Sequence, residues 1–518
     1  NNRMNPPPAW ITALAEKAAQ EPAPSSWITA SALPELVVGG QVLAAPEIKG
    51  LLVAMTELAG VVLKGNRGLE PGFTPPAWVG LFKNDVVEVT RDRFVDALQE
   101  RFHAADRPSK DRWVYGAVAL LGGDRCAVRI GALVRRMAED LNRTGANLGL
   151  DMLKAIGTDT AIMQLDMLTR KVRRNSVRAR ALFSMNEIAA KRKLTLDELA
   201  DRIVPDCGLD EKGSCVFDFG SRQFHLVITK GLKPMIRDES GSLRENLPAP
   251  RSTDDPAKAA EATAAWKLFK KMFKDTLKLQ SDRLELALVQ GRWWSFADFQ
   301  RFIAHHPVMG HIARALVWGE FDASTNRLRK SFRIAEDHTL CDEHDHILHD
   351  LPQSVRIIHP LHLHDDARCA WGQICSDYGM LPPFDQLNRS VYRPDSSEME
   401  STALERFRGR LVHPMSLFSK LTKLGWQRDD TGDGGFVSQH HKLHADATLA
   451  VLRYGPGIPI FAPADADAQE IEFCAFVQAG DPAPSCHDTV KAMTLSEVPA
   501  IVFSECVRDL VLLTGHHE

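Results

Sequence analysis

The chain has 518 residues, 44% of them hydrophobic and 25% charged, with a formal net charge of −4. That length exceeds what one hydrophobic core supports, and the composition is not that of a disordered chain, so roughly two to four folded domains are expected. The balance of charge excludes a binder that relies on a basic excess to hold nucleic acid, and no apolar run reaches the roughly 18 residues that span a bilayer.

The nine cysteines are scattered without a CxxC pair, the usage of reduced thiols rather than of a disulfide framework. With no apolar signal segment near the start, the expected place is the cytoplasm, with no membrane partner. The head of the chain, Asn1-Asn2-Arg3-Met4, has no initiator methionine, so the segment is expected to be a piece of a longer protein.

In chain order, residues 1–48 are rich in proline and alanine, with Pro6-Pro7-Pro8 and Pro22-Ala23-Pro24, and predict an irregular opening segment. Residues 49–205 predict a helical domain. Apolar residues recur at helical spacing from Glu47 to Lys64, and strand-like runs are missing. Within it LLGGDRCAVRIGALVRR (120–136) lies over AIGTDTAIMQLDMLTRK (155–171), so that Gly122 matches Gly157, Asp124 matches Asp159 and Leu133 matches Leu168.

The glycines are expected to close one helix through a left-handed cap, and the aspartates two residues later to cap the next. Paired helices at such a period suggest a HEAT-like α-solenoid. Lys171, Arg173, Arg174, Arg178 and Arg180 form a basic cluster, which is expected to be a solvated helix face.

Residues 206–394 predict a central α+β domain. Phe217–Gly220 and Gln223–Thr229 are strand-like, Met235–Gly241 is the far arm and turn of a hairpin, and a helix is expected over 256–290. Asp218-Phe219-Gly220 spells the kinase magnesium triplet but lacks that family's other motifs. Ser295 opens a further helix as its N-cap. Residues 395–518 predict a C-terminal α+β subdomain, with a helix at Pro414–Leu424 closed by Gly425, strands at Thr448–Tyr454 and Glu470–Gln478, and a last helix at Ser496–Leu513. The loop Asp429–Gly435 has the look of a calcium loop, but its twelfth position is His440, so a turn is expected.

The segments LVWGEF (316–321), FRIAED (332–337), IIHPLHL (357–363) and WGQICSDYGMLPPFDQLNR (371–389) carry a resemblance to the bacterial MolR-like family, domain of unknown function 4132. Upstream LDMLKAIGTD and GRWWSFADFQRF, and downstream FRGRLVHPMSLFSKLTKLGWQR, extend it over residues 110–515. The resemblance implies a helical region leading into the family domain, in proteins that sometimes carry a DNA-associated WGR domain; no WGR module is recognisable here.

Three groups of side chains in 318–394 are candidates for chemistry. His359, in an extended X-Pro position after Ile357-Ile358, calls for a buried partner, and with Asp377 and Tyr378 it forms a possible acid–base group. Arg389, with Gln386, Trp371 and Trp318, is the candidate anchor for substrate, because the guanidinium fork binds anions in two places. His344, His346 and His349, within Cys341–His349, are the candidate metal ligands; no cofactor is expected, with zinc as the alternative. His362 and His364 share a face if 357–363 is a strand.

The leading expectation is a regulatory or scaffold module that binds a peptide or protein partner in a pocket around 318–394. The alternative is an enzyme acting on a peptide or small anion through the groups just named. The residues leave open which of the two applies.

Overall fold

The computed structural model describes residues 7–172, 174–322, 324–429, 435–444, 447–479 and 492–515. It is a mixed α/β structure with a helical N-terminal half and antiparallel sheets. It divides into two units: the first holds the chain up to Gly208 together with Ala264–Thr276, and the second holds Leu209–Thr263 and everything from Leu277. No helix among the described residues is long and apolar enough to cross a membrane.

The first unit carries α1 (Ala9–Lys17), the short hairpin β1 (Val37–Val38) and β2 (Gln41–Val42), and then α2 (Ala45–Met55), α3 (Ala77–Asp85) and α4 (Glu88–Ala104). The opening residues, expected to be irregular, therefore hold a helix and a hairpin. After these come α5 (Trp113–Leu121), α6 (Asp124–Glu139), α7 (Arg143–Ile156), α8 (Asp159–Lys171), α9 (Asn175–Arg192) and α10 (Leu196–Arg202).

Each helix is apolar along one stripe and buries it against its neighbours. On α4 that stripe is Phe94, Val95, Leu98 and Phe102, all buried. Packing runs to the next helix and the next but one: α6 meets α7 and α8, and α7 meets α9.

The repeat behaves unequally at its two copies. Gly157 ends α7 in the left-handed region, φ 66°, as expected. Gly122 ends α5 with φ −67°. Its reason for being glycine is space, since a Cβ there lies 2.5 Å from the Val118 carbonyl oxygen. The aspartates are not caps. Asp159 is the first residue of α8, whose cap is Thr158, accepting from the Ala161 N–H at 3.2 Å. The start of α6 is served from another helix, as Asp92 of α4 accepts from the N–H groups of Gly123 and Arg125 at 3.1 and 3.0 Å. Of the basic cluster, Arg180 is paired with Asp151 at 2.8 Å; Arg173 lies outside the described residues.

The second unit begins with an antiparallel sheet of β3 (Val216–Asp218), β4 (Gln223–Ile228), β5 (Pro234–Arg237) and β6 (Leu243–Arg244) in that order. Asp218 pairs with Lys258 at 2.9 Å. The long helix α11 (Pro256–Gln290) starts where Asp255 accepts from the N–H groups of Ala257 and Lys258, with proline in the first turn, and ends at Gly291, φ 65°.

The central sheet has the order β10 (Leu340–Cys341), β9 (Leu328–Ile334), β8 (Trp318–Phe321), β11 (Ser354–Ile357) and β7 (Trp293–Ser295). Ser295 accepts from the Asp298 N–H at 3.2 Å and so caps α12 (Phe296–Phe299); a π turn and α13 (Met309–Ala313) follow. All of β8 is buried, and α14 (Asp365–Asp377) seats Trp371 and Ile374 in an apolar cluster with Val317, Phe321 and Ile358.

The C-terminal sheet has the order β12 (Leu411–Val412), β16 (Gln469–Gln478), β15 (Thr448–Pro459), β14 (Phe436–Leu443) and β13 (Gln427–Arg428). It packs with α15 (Pro414–Lys423) and α16 (Ala500–Thr514) into one core. Gly425 takes φ 87° after α15, the left-handed position expected of it. Residues 430–434 of the calcium-like loop lie outside the described part.

Candidate functional site

The expected acid–base group does not assemble. His359 is fully buried, and its Nδ1 accepts the Leu361 N–H at 3.1 Å at the start of the 3-10 turn Pro360–His362. The ring proton is thereby placed on Nε2, which donates to Glu505 Oε1 at 3.1 Å. Asp377 instead accepts from Gln373 Nε2 at 2.7 Å, one turn back along α14. The Tyr378 hydroxyl donates to Asp345 at 2.5 Å, while Arg333 lies 3.7 Å over the Tyr378 ring.

The proposed anchor is engaged as well. Arg389 donates from Nε and Nη2 to the two oxygens of Glu505 at 2.6 and 2.7 Å, and from Nη1 to Glu285 at 2.8 Å and the Asp385 carbonyl at 3.1 Å. Every edge of its fork is in use. Burial opposes the charge on Glu505, but Arg389 and His359 outweigh it and hold the carboxyl well below the usual range.

Gln386 acts as an extra peptide group. Its Oε1 accepts from the Val317 N–H at 2.9 Å, and its Nε2 donates to the carbonyls of Val317 and Ile358 at 2.7 and 2.9 Å. Trp318 donates to the Ala313 carbonyl and Trp371 to Ser331 Oγ, both at 2.9 Å, and both rings are fully buried. These polar groups hold the central domain together from inside.

The histidine cluster is a loop. Asp342 Oδ1 accepts from the main-chain N–H groups of His344 and His346, each at 2.9 Å, and His344, His346 and His349 are exposed. Among the described residues no group of three or more His, Cys, Asp or Glu is placed to hold a metal ion. His362 and His364 are not on a strand, since β11 ends at Ile357. His362 is packed 4.7 Å from the Phe321 ring. Burial, then the neighbouring His359 and Arg356, pull its titration down to about 3.

A cavity not anticipated from the residues lies in the helical unit. It has a volume of about 230 Å³ and is lined from α4, α5, α6 and α7 and the loops beside them. Val95, Gln99 and His103 stand one turn apart on α4. Val95 is core, whereas Gln99 and His103 face the cavity. Gln99 is 2% exposed, and its Oε1 has no protein partner among the described residues; neither has His103 Nε2. Such buried orphans are uncommon and call for a partner.

Burial lowers the titration of His103, and the charges of Arg107 and Arg129 add to the effect. Arg107 and Tyr115 also line the space, and its apolar wall includes Ile130, Val134 and Met152. Two glycines let α7 close on α6: a Cβ at Gly149 falls 2.3 Å from Val134 Cγ2, and one at Gly145 falls 2.7 Å from Met137 Sδ. The available sequence signal was Gln99 and His103 interrupting an apolar row.

A family described as Domain of unknown function (DUF4132) matches residues 241–426. The chain is 33% identical over 326 residues, 62% of its length, to "Uncharacterized protein YehI" of Escherichia coli (strain K12). It spans about a quarter, 27%, of that relative's length. No solved structure matches.

Proposed function

We propose that the chain is a binding module whose ligand site is the cavity among α4, α5, α6 and α7. The observation that carries this reading is that Gln99 and His103, both lining that cavity, each keep one buried polar atom, Oε1 and Nε2, without a hydrogen-bond partner among the described residues. An unpaired buried acceptor costs about 1–3 kcal/mol, and a ligand offering a partner removes that cost. The expectation of a binding module is kept; its site moves from 318–394, where the singled-out buried groups are engaged within the fold, to the helical unit.

The packing of each helix on the next and next but one supports a HEAT-like scaffold presenting this site. The DUF4132 likeness over residues 241–426 supports a domain of that family there, and the proposal extends to the wider MolR-like group and to a cytoplasmic location.

The test is a thermal-shift screen of small polar and apolar fragments on the whole chain, repeated on Met152→Trp, which fills the cavity from α7. Fragments that stabilise the parent and not the filled variant are expected. A fragment set that stabilises neither, or both equally, overturns the proposal.

A further inference from the structure

Resting on the reading of the cavity as a ligand site, we infer that its ligand is a small monocarboxylic acid with a neutral hydroxyl on an apolar body. Size comes first. An apolar cavity of roughly 150 Å³ takes benzene, with its six carbon atoms. By proportion the 230 Å³ here admits about nine non-hydrogen atoms.

Charge comes next. Arg107 lines the cavity, no aspartate or glutamate does, and Arg107 makes no ion pair among the described residues. The field of Arg107 and Arg129 is felt inside, where both act against protonation of His103. A guanidinium with an open fork selects a carboxylate. The same inventory rejects an amino acid, whose ammonium could donate to Gln99 but would find no carboxylate in the lining to balance its charge beside Arg107.

The third requirement is a donor. Gln99 Oε1 can only accept, so the ligand brings an O–H to it. A hydroxyl does this without adding charge. The remaining wall of Ile130, Leu133, Val134, Leu148 and Met152 takes a branched or ring-like apolar body, with Met152 adapting to its shape.

The test is calorimetric titration of the whole chain with four probes of nearly one size: hydroxyisocaproate, isocaproate without the hydroxyl, leucine with an ammonium in its place, and hydroxyisocaproamide without the charge. Hydroxyisocaproate is expected to bind roughly tenfold more tightly than each of the others: against the amide this is the worth of a charge-assisted hydrogen bond, against isocaproate the cost of leaving the Gln99 acceptor unpaired, and against leucine the cost of an ammonium without a counter-charge. Arg107→Ala, at an exposed position, is expected to bring the acid down to the level of the amide while leaving the amide unchanged. Gln99→Met is expected to make hydroxyisocaproate and isocaproate equal.

Leucine binding most tightly, the amide matching the acid, or Arg107→Ala having no effect each overturns the carboxylate assignment. Fragments displaced by Met152→Trp would in those cases still uphold the cavity as a site. If none of the four probes binds while such fragments do, the hydroxy-acid inference alone falls. If no fragment binds either, both fall.

Discussion

Replacing Glu505 by glutamine tests the ion network that joins α16 to the central domain. The parent carboxylate receives two bonds from Arg389 and one from His359. Glutamine keeps one acceptor oxygen and turns an NH2 toward a donor of Arg389 or His359, so at least one charged hydrogen bond, worth about 1.5–3 kcal/mol, is lost and one becomes repulsive. Breaking a buried pair from one side costs about 3–5 kcal/mol, and that is the expected effect of Glu505→Gln and, separately, of Arg389→Met.

The double variant Arg389→Met/Glu505→Met leaves no uncompensated charge between these two positions. What remains is the orphaned Nε2–H of His359, at about 1–3 kcal/mol, and the lost Arg389 bonds to Glu285 and the Asp385 carbonyl, which Arg389→Met alone loses as well, so the double change is expected to cost far less than the sum of the single ones. Because the chain has two units, the readout is amide hydrogen exchange in peptides from α16 and β11, which reports opening of this region alone.

The pH dependence has a defined sign. Glu505 is held below its ordinary 4.5, so its contribution is complete above that pH and is lost as the pH falls through the lower folded value. The loss below about pH 4.5 is therefore expected to be shallower in Glu505→Gln. Additive costs in the cycle, or an Arg389→Met cost under about 1 kcal/mol, would refute the reasoning.

In the helical unit Asp92 is pushed up to about 6, by burial first and by the charges of Asp124 and Asp96. Its protonated form is favoured in the folded state, so exchange protection of α4 and α6 is expected to fall as pH rises from about 4 to 6, and Asp92→Asn to flatten that slope. Gly116→Ala places a Cβ 2.2 Å from the Leu58 carbonyl oxygen; the main chain must move, and a loss of about 1–3 kcal/mol is expected in denaturant titration. Among the eight described cysteines Cys369 is exposed, while Cys207 is buried with its thiol pushed up to about 12. A thiol reagent at neutral pH is expected to label Cys369 rapidly and Cys207 only on unfolding.

Local signals were the legible ones. The helix expected over 256–290 matches α11 (Pro256–Gln290), and Ser295 and Gly425 were read as caps of their helices, because caps act over a single turn. His359 was correctly suspected of burial and of needing a partner. That partner, Glu505, lies 146 positions away, beyond anything periodicity can reach. Arg389 was chosen for a fork that suits anions, and the anions it suits are supplied by its own chain. Gln99 and His103 went unnoticed because a polar residue on an apolar helix row looks ordinary until its neighbours fail to satisfy it.

One unbroken helix serves both units. The middle of α11, Ala264–Thr276, belongs with the N-terminal unit, bringing Trp266, Phe269 and Phe273 stacked in series, and Thr276, which reaches Cys207 and Met163. A ribosome that has released only the first 208 residues has therefore not yet supplied everything that unit needs. An excised fragment ending at Gly208 would lack Trp266, Phe269 and Phe273 and would leave Cys207 and Met163 without the Thr276 hydroxyl.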